Sequence, residues 1–354
     1  MRTHSYALDA LKVVCCAMVI WDHSSALVKA GEDIFIPVGA GWIPVHIFYM
    51  ISGLLMVNSY FWRRGDTSPE EETAGFIKHK LKSIYLQYVV SLVLAFAVYL
   101  YLHIKSHGMN QVWKVTVQTI PELFLLNVSG VLPREINAPT WYISAMFLAM
   151  LLLYYVLARN PKFYLYVAAP AICVLLYGCM YTSDGLYSRS AQFGIFQGSF
   201  LRALFGIAFG SVTWLIAEKL RRLRRPRRVI LTAVEVALYL VFVVVWMTTG
   251  PGTVTIYSAL VLLPIMLAIT FSGCSYTALL FSSPVWKHIL TVSVAFYFNH
   301  WAALRVVRQM KWDYSYTKSL MILLGLTAAL SAAYFGLIAA IKAFWKKKPQ
   351  AFED

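Results

Sequence analysis

Four residues near the amino terminus have the types and the spacing that acid–base chemistry requires. Asp9, Lys12, Cys16 and His23 fall within an apolar stretch over residues 6–29. On a helix with about 3.6 residues per turn, Lys12 and His23 differ by roughly 20° in direction, and Asp9 and His23 by roughly 40°. The four side chains therefore share one face, here named the polar stripe, along which Lys12 lies about 16 Å from His23.

The polar stripe combines a base with a cation. An imidazole changes its charge near neutral pH, so His23 can accept a proton from an attacking hydroxyl. Lys12 can bind an anionic group such as a phosphate, and Asp9 can pair with Lys12 or hold it in position. Ionisable residues in apolar helices also act as interfacial caps or packing hydrogen bonds, so the stripe alone leaves a structural role open.

Apolar stretches long enough to cross a membrane recur along the whole chain. Of its 354 residues, 60% are hydrophobic and 13% are charged. A hydrocarbon layer of about 30 Å needs roughly 20 helical residues. We predict ten spans, at residues 6–29, 41–62, 80–103, 139–158, 162–181, 194–217, 228–248, 253–271, 286–306 and 316–343. Segment 117–130 is short and holds Pro121 and Glu122, so we expect a re-entrant or interfacial helix there.

The distribution of basic residues predicts the orientation. With the amino terminus in the cytoplasm, 20 of the 31 lysine and arginine residues fall in inner segments and nine in outer ones. This bias places both termini in the cytoplasm. An eleventh crossing at 117–130 would put the basic run Arg221–Arg228 outside. We therefore predict an all-α, polytopic transmembrane helix bundle that forms a single domain over residues 1–354, with both termini in the cytoplasm.

Charge and cysteine content argue against other classes. The net charge is +15, and most of the basic residues lie between the predicted spans. In that position they are better explained as topology signals and as contacts with anionic membrane lipids than as a nucleic-acid binding surface. The five cysteines lack the spacing of a zinc site or a disulfide framework, and no metal site is predicted. No G-x-S-x-G motif supports a serine nucleophile.

Several motifs resemble those of the acyltransferase-3 family of integral-membrane proteins. They follow in family order at residues 8–12 with His23, 45–55 with Ser52 and Gly53, 76–85, 139–145 with Trp141 and Tyr142, 201–210, and 297–300 ending in His300. The resemblance covers nearly the whole chain. Two departures concern charge: Lys12 stands where the family has arginine, and Ser83 stands at the second arginine of an R-x-x-R pattern.

The resemblance implies an enzyme that moves an acyl group from cytoplasmic acyl-coenzyme A to a hydroxyl at the outer face. Acetyl-CoA is the expected donor, and a sugar of a cell-surface or secreted polysaccharide is the expected acceptor. His23 would be the catalytic base, with or without a covalent acyl intermediate. The coenzyme A phosphates would lie near Lys12, Lys80 and Lys82, with Asp9 supporting Lys12.

Four further residues are implied as acceptor-site or supporting groups. Trp141 and Tyr142 would shape the acceptor mouth, although an interfacial aromatic belt is an equal alternative. His300 would hydrogen-bond substrate or His23, or serve a structural role. Ser52 and the glycine after it favour close helix packing or a local break of the helix, with a direct role the minority interpretation.

Two other functions are left open. A transporter or flippase of a lipid-linked or acylated sugar also needs a polar path across the membrane. Against it, no internal repeat is visible, and acidic residues are few in the predicted spans. A catalytically inactive relative would account for the departures at Lys12 and Ser83.

Overall fold

The computed structural model describes most of the chain. The described residues are 4–29, 32, 34, 41–63, 67–109, 112–128, 135–182, 191–194, 196–223, 227–248, 254–310 and 314–347. Residues 224–226 of the basic run lie outside this part of the chain, so the run is described only on either side of them.

The secondary structure is almost entirely helical, as predicted. The helices are α1 (Tyr6–Ser24), α2 (Trp42–Arg63), α3 (Pro69–His107), α4 (Val112–Leu123), α5 (Trp141–Arg159), α6 (Pro161–Phe163), α7 (Ala169–Thr182), α8 (Gly198–Arg221), α9 (Arg228–Thr248), α10 (Val254–Ser272), α11 (Tyr276–Leu280), α12 (Val285–Gln309) and α13 (Tyr316–Lys347). A 3-10 turn over Ser25–Leu27 follows α1, and a π-helical turn over Tyr164–Ala168 joins α6 to α7. The strands β1 (Gln192–Phe193) and β2 (Phe196–Gln197) form an antiparallel hairpin before α8.

The chain is a multi-pass integral-membrane protein. Within the described residues, eight helical segments are long and apolar enough to cross a membrane. The other two predicted spans coincide with α10 and α12. In α10 the apolar segment Leu260–Ser272 is short, and α12 carries Lys287, Arg305 and Arg308 among its apolar residues. Ten spans therefore stays a prediction.

Helix α4 lies where a re-entrant or interfacial helix was expected. It has 12 residues, which corresponds to about 18 Å of helix, too short for a hydrocarbon layer of about 30 Å. The helix begins at Val112 rather than at residue 117, and the chain turns after it with Leu125 at a φ of 58°. Its length supports the prediction that this segment is not an eleventh crossing.

The backbones of α2 and α8 approach each other closely through glycines. A Cβ atom on Gly53 would overlap the carbonyl oxygen of Ile207, and one on Gly210 would overlap the carbonyl oxygen of Met50. Only residues without a side chain allow this approach. The close packing that the Ser52–Gly53 pair predicted is confirmed.

Helix α12 lies between several others and carries the candidate site. It packs against α1, α3 and α13. The segment before α5 is fixed to it by two hydrogen bonds: the Asn137 side chain donates to the carbonyl oxygen of Phe298 (3.0 Å), and the Tyr297 hydroxyl donates to that of Pro139 (2.9 Å). Parts of the chain that are remote in sequence thus converge around residues 297–301.

Candidate active site

His23 on α1 and His300 on α12 form a hydrogen-bonded pair. The Nδ1 atom of His23 lies 2.8 Å from the Nε2 atom of His300, and the two rings are nearly parallel, with centroids 5.1 Å apart. His300 is fully buried, whereas His23 is partly exposed. The Nδ1 atom of His300 lies 2.7 Å from the carbonyl oxygen of Tyr297. A relay of two hydrogen bonds therefore runs from His23 through His300 to the backbone.

This relay determines which nitrogen atoms carry hydrogen. A carbonyl oxygen only accepts, so the Nδ1 atom of His300 donates to Tyr297. A neutral imidazole has one donor and one acceptor nitrogen, so the Nε2 atom of His300 accepts and the Nδ1 atom of His23 donates. In this tautomer the lone pair of His23 is on its Nε2 atom, the arrangement that a general base needs.

The carboxyl-terminal end of α1 is anchored beside this pair. The Ser24 hydroxyl donates to the carbonyl oxygen of Trp21 (2.6 Å) and accepts from the Tyr316 hydroxyl of α13 (2.8 Å). The Trp301 indole packs edge-on against the ring of His23, with centroids 5.2 Å apart and an interplanar angle of 68°. These contacts restrict the position of the His23 side chain.

The amino-terminal end of the polar stripe is a second ionic group. The buried Asp9 carboxylate accepts hydrogen bonds from His4 Nε2 (2.5 Å) and Lys12 Nζ (3.3 Å). Cys16 is buried, while Lys12 and His23 are partly exposed. The stripe therefore faces the neighbouring helices along most of its length, and Asp9 holds Lys12 as the spacing predicted.

The two other basic residues predicted for the donor site lie on α3. Lys80 is half-buried, and Lys82 is exposed. Helices α1 and α3 both pack against α12, so the two helices with basic residues flank the helix that carries His300. The Ser83 hydroxyl donates to the carbonyl oxygen of Lys80 (2.7 Å). The hydrogen bond of Ser83 is therefore made within α3 itself.

Trp141 and Tyr142 lie inside the bundle. Trp141 is 9% exposed and lies under the guanidinium group of Arg202, whose Cζ atom is 4.9 Å from the ring centroid. The ring of Tyr142 contacts those of Tyr49 and Tyr297 at centroid distances of 5.9 and 6.0 Å. An aromatic belt facing lipid headgroups does not fit this burial. The arrangement extends an aromatic cluster from α2 and α5 towards the histidine pair.

Ser52 connects α2 to α5. Its hydroxyl lies 3.4 Å from the sulfur of Met146, to which it donates. This weak hydrogen bond fits the structural interpretation of Ser52, next to the glycine contact between α2 and α8.

Sequence reasoning assigned no role to two buried ionisable side chains. Arg202 on α8 is 2% exposed, and Glu235 on α9 is fully buried. The Glu235 carboxylate accepts from the hydroxyls of Thr270 and Thr277. The signal was present, since a charged residue in an apolar span is costly and therefore informative.

Within the described ranges, no three histidine, cysteine, aspartate or glutamate residues come close enough to hold a metal ion.

A family model described as an acyltransferase domain, acyltransferase 3, matches residues 5–341. No curated protein and no solved structure gave a match. Because the matched segment covers nearly the whole chain, the protein belongs to the acyltransferase 3 family of membrane acyltransferases.

Proposed function

We propose that the protein transfers an acetyl group from cytoplasmic acetyl-CoA to a hydroxyl of a cell-surface or secreted sugar, with His23 as the base. The hydrogen-bond relay from His23 through His300 to the carbonyl oxygen of Tyr297 carries the proposal. It favours the His23 tautomer with a lone pair on Nε2 and fixes the direction of the ring. A histidine with only a packing role does not require such an arrangement.

The transfer step follows from this tautomer. The acceptor hydroxyl gives its proton to the Nε2 atom of His23 while its oxygen attacks the thioester carbonyl carbon. The new carbon–oxygen bond forms, and the carbon–sulfur bond breaks after the addition. The thiolate of coenzyme A leaves and takes the proton from His23, which restores the neutral imidazole. His300 holds the Nδ1–H of His23 throughout and stabilises the transient imidazolium.

The donor is proposed to approach from the amino-terminal end of the polar stripe. Lys12, held by Asp9, is the cation nearest to His23 on α1, about 16 Å away along the axis. Lys80 and Lys82 add positive charge on α3. Lysine binds a phosphate as a point charge without the bidentate geometry of arginine, so we expect weaker donor binding than with arginine at these positions.

The test uses purified protein in liposomes with radiolabelled acetyl-CoA. Wild type is compared with His23→Ala and with His288→Ala, which removes an exposed histidine of α12. We expect release of labelled acetate or labelled acceptor from wild type and from His288→Ala. Loss of the base in His23→Ala should reduce turnover by about 10²- to 10⁴-fold.

The other outcomes separate the alternatives. Turnover that does not change in His23→Ala would refute the assignment of the base. Binding and turnover that are both absent, with acetyl-CoA and succinyl-CoA and with crude envelope acceptors, would favour a transporter or an inactive relative. Uptake of a labelled glycolipid into liposomes, driven by an ion gradient, would then identify the transporter.

A further inference from the structure

A polar cavity opens between the carboxyl-terminal ends of α3 and α12. Its volume is about 500 Å³, and it is partly open to the surroundings. Residues from α3, from the segment before α5 and from α12 line it, including Tyr99, His103, Glu135, Trp301, Arg305 and Arg308. The charge distribution predicts that these helix ends lie at the outer membrane surface. Ligand sites commonly occupy about 300–1,000 Å³, so an oligosaccharide segment fits here.

The cavity carries more positive than negative charge. Two guanidinium groups, those of Arg305 and Arg308, line it against one carboxylate, that of Glu135. Arg305 is held in place because its Nη2 atom donates to the backbone carbonyl oxygen of Glu135 (2.8 Å) and its Cζ atom lies 4.6 Å from the centroid of the Tyr99 ring. Arg308, one helical turn further, is exposed.

The cavity shares a residue with the candidate active site. Trp301 lines the cavity, and its ring also packs edge-on against that of His23, with centroids 5.2 Å apart. The Trp301 Nε1 atom is buried without a hydrogen-bond acceptor among the described residues. Tyr99 adds a second aromatic ring to the lining. Amphipathic aromatic side chains provide flat apolar contact together with a polar edge, which suits a sugar ring.

We propose, on the basis of the proposed function, that this cavity is the acceptor subsite and that it binds an anionic saccharide. The arginines would hold a carboxylate or phosphate of the acceptor, while Trp301 directs the adjoining sugar hydroxyl towards His23. Guanidinium groups bind carboxylates and phosphates alike through paired hydrogen bonds, so the lining accommodates either anion. Selection of anionic over neutral sugars is the consequence that can be measured.

The test measures binding and transfer separately, with protein in nanodiscs. The probes are a glucuronate-containing tetrasaccharide, the same tetrasaccharide with its carboxyl groups reduced to alcohols, and a glucose phosphate. Arg308→Gln is the main variant because Arg308 is exposed, so its replacement leaves the packing of α12 unchanged. Lys318→Gln is the matched control, since it removes a cation whose ammonium lies over the ring of Tyr314, outside the lining residues.

Wild type and Lys318→Gln should bind the acidic tetrasaccharide or the glucose phosphate roughly tenfold more tightly than the reduced tetrasaccharide, since a hydrogen bond to a charged group is lost in the neutral form. Arg308→Gln should reduce this preference severalfold, because Arg305 alone then remains in the lining. The better of the two anionic probes identifies carboxylate or phosphate. Equal binding of neutral and anionic probes, or an unchanged preference in Arg308→Gln, would overturn the anionic subsite.

Acetyl-CoA hydrolysis without a sugar distinguishes this outcome from failure of the proposed function. His23-dependent hydrolysis without anion preference would refute the subsite alone. Anion preference that depends on Arg308, without any use of acetyl-CoA, would refute the acyltransfer and leave a saccharide-binding cavity.

Discussion

The Nδ1 atom of His23 lies 2.8 Å from the Nε2 atom of His300, although 277 residues separate them in the chain. The hydrogen bond joins the first helix of the bundle to α12, which itself is fixed to the segment before α5 through Asn137. The direction of the proposed base is therefore set by a helix that does not carry it. Disturbing α12 should alter the base without removing it.

We expect His300→Ala to reduce kcat by roughly 10- to 100-fold, a smaller loss than from His23→Ala, because the base is retained but its tautomer is no longer selected. The KM for acetyl-CoA should change little. His300→Gln, whose side-chain oxygen can accept from His23, should recover part of the rate. Steady-state kinetics with His288→Ala as the control checks this. Equal rates for His300→Ala and wild type would contradict a positioning role.

We expect Lys12→Ala to raise the KM for acetyl-CoA by about three- to tenfold with a small effect on kcat, because a partly exposed cation contributes modestly to phosphate binding. Lys12→Arg should match or lower the wild-type KM, since a guanidinium adds bidentate contacts. Lys78→Gln, which removes an exposed charge of α3, is the matched control. A loss of kcat without a change of KM in Lys12→Ala would assign this residue to the chemical step instead.

We expect Gly53→Ala to destabilise the protein by about 1–3 kcal/mol, because the added methyl group overlaps the carbonyl oxygen of Ile207 on α8. Gly325→Ala on α13 is the matched control, since a Cβ atom there meets nothing within 4 Å. That variant should be as stable as wild type or slightly more stable. Thermal unfolding in detergent measures both. An equal Tm for the two variants would show that α2 and α8 can separate at low cost.

We expect stability to depend on the protonation of Glu122, which lies at the end of α4. Burial raises the pKa of Glu122 from 4.5 to about 7, while hydrogen bonds from the backbone N–H groups of Ile136 and Asn137 act in the opposite direction. Glu135 raises the pKa and Arg305 lowers it. The folded state therefore holds a proton between pH 4.5 and about 7 that the unfolded state releases.

Stability should accordingly fall as pH rises from about 4.5 and level off above about 7, by at most about 3 kcal/mol. Glu122→Gln should remove this slope, because the amide does not titrate. Glu218→Gln, which removes a partly exposed carboxylate that pairs with Arg221, should retain it. Unfolding in detergent between pH 4.5 and 8 measures the effect. A slope that persists in Glu122→Gln would assign the titration to another group.

The helices and the face of α1 could be predicted from the sequence because they depend on local patterns. Each predicted span coincides with a helix, although α3 begins at Pro69 rather than at residue 80, and helical periodicity placed Asp9 beside Lys12. Contacts between helices were harder to predict. The pairing of His300 with His23 was one of several alternatives, since depth in the membrane does not specify which helices are neighbours. The rotation and tilt of each helix are determined by its packing against other helices, which a single sequence does not reveal.

Several buried polar residues were missed for the same reason. His46, to which the sequence analysis assigned no role, is fully buried and stacks on Phe205 with centroids 5.0 Å apart. Glu235 is a buried carboxylate within a predicted span. It weakens the argument that the spans hold too few acidic residues for a transporter. Its two threonine donors nevertheless show a carboxylate that is satisfied within the bundle.

The glycine contacts between α2 and α8 also restrict where a substrate can travel. Backbone atoms of the two helices meet at Gly53 and again at Gly210, so a pantetheine arm cannot pass between them at these levels without forcing the helices apart. In the proposed reaction, the long, thin donor would therefore lie on the other side of α2, along the stripe of α1 that ends at His23. The contact between α2 and α8 thus closes one side of the proposed path of the acyl chain.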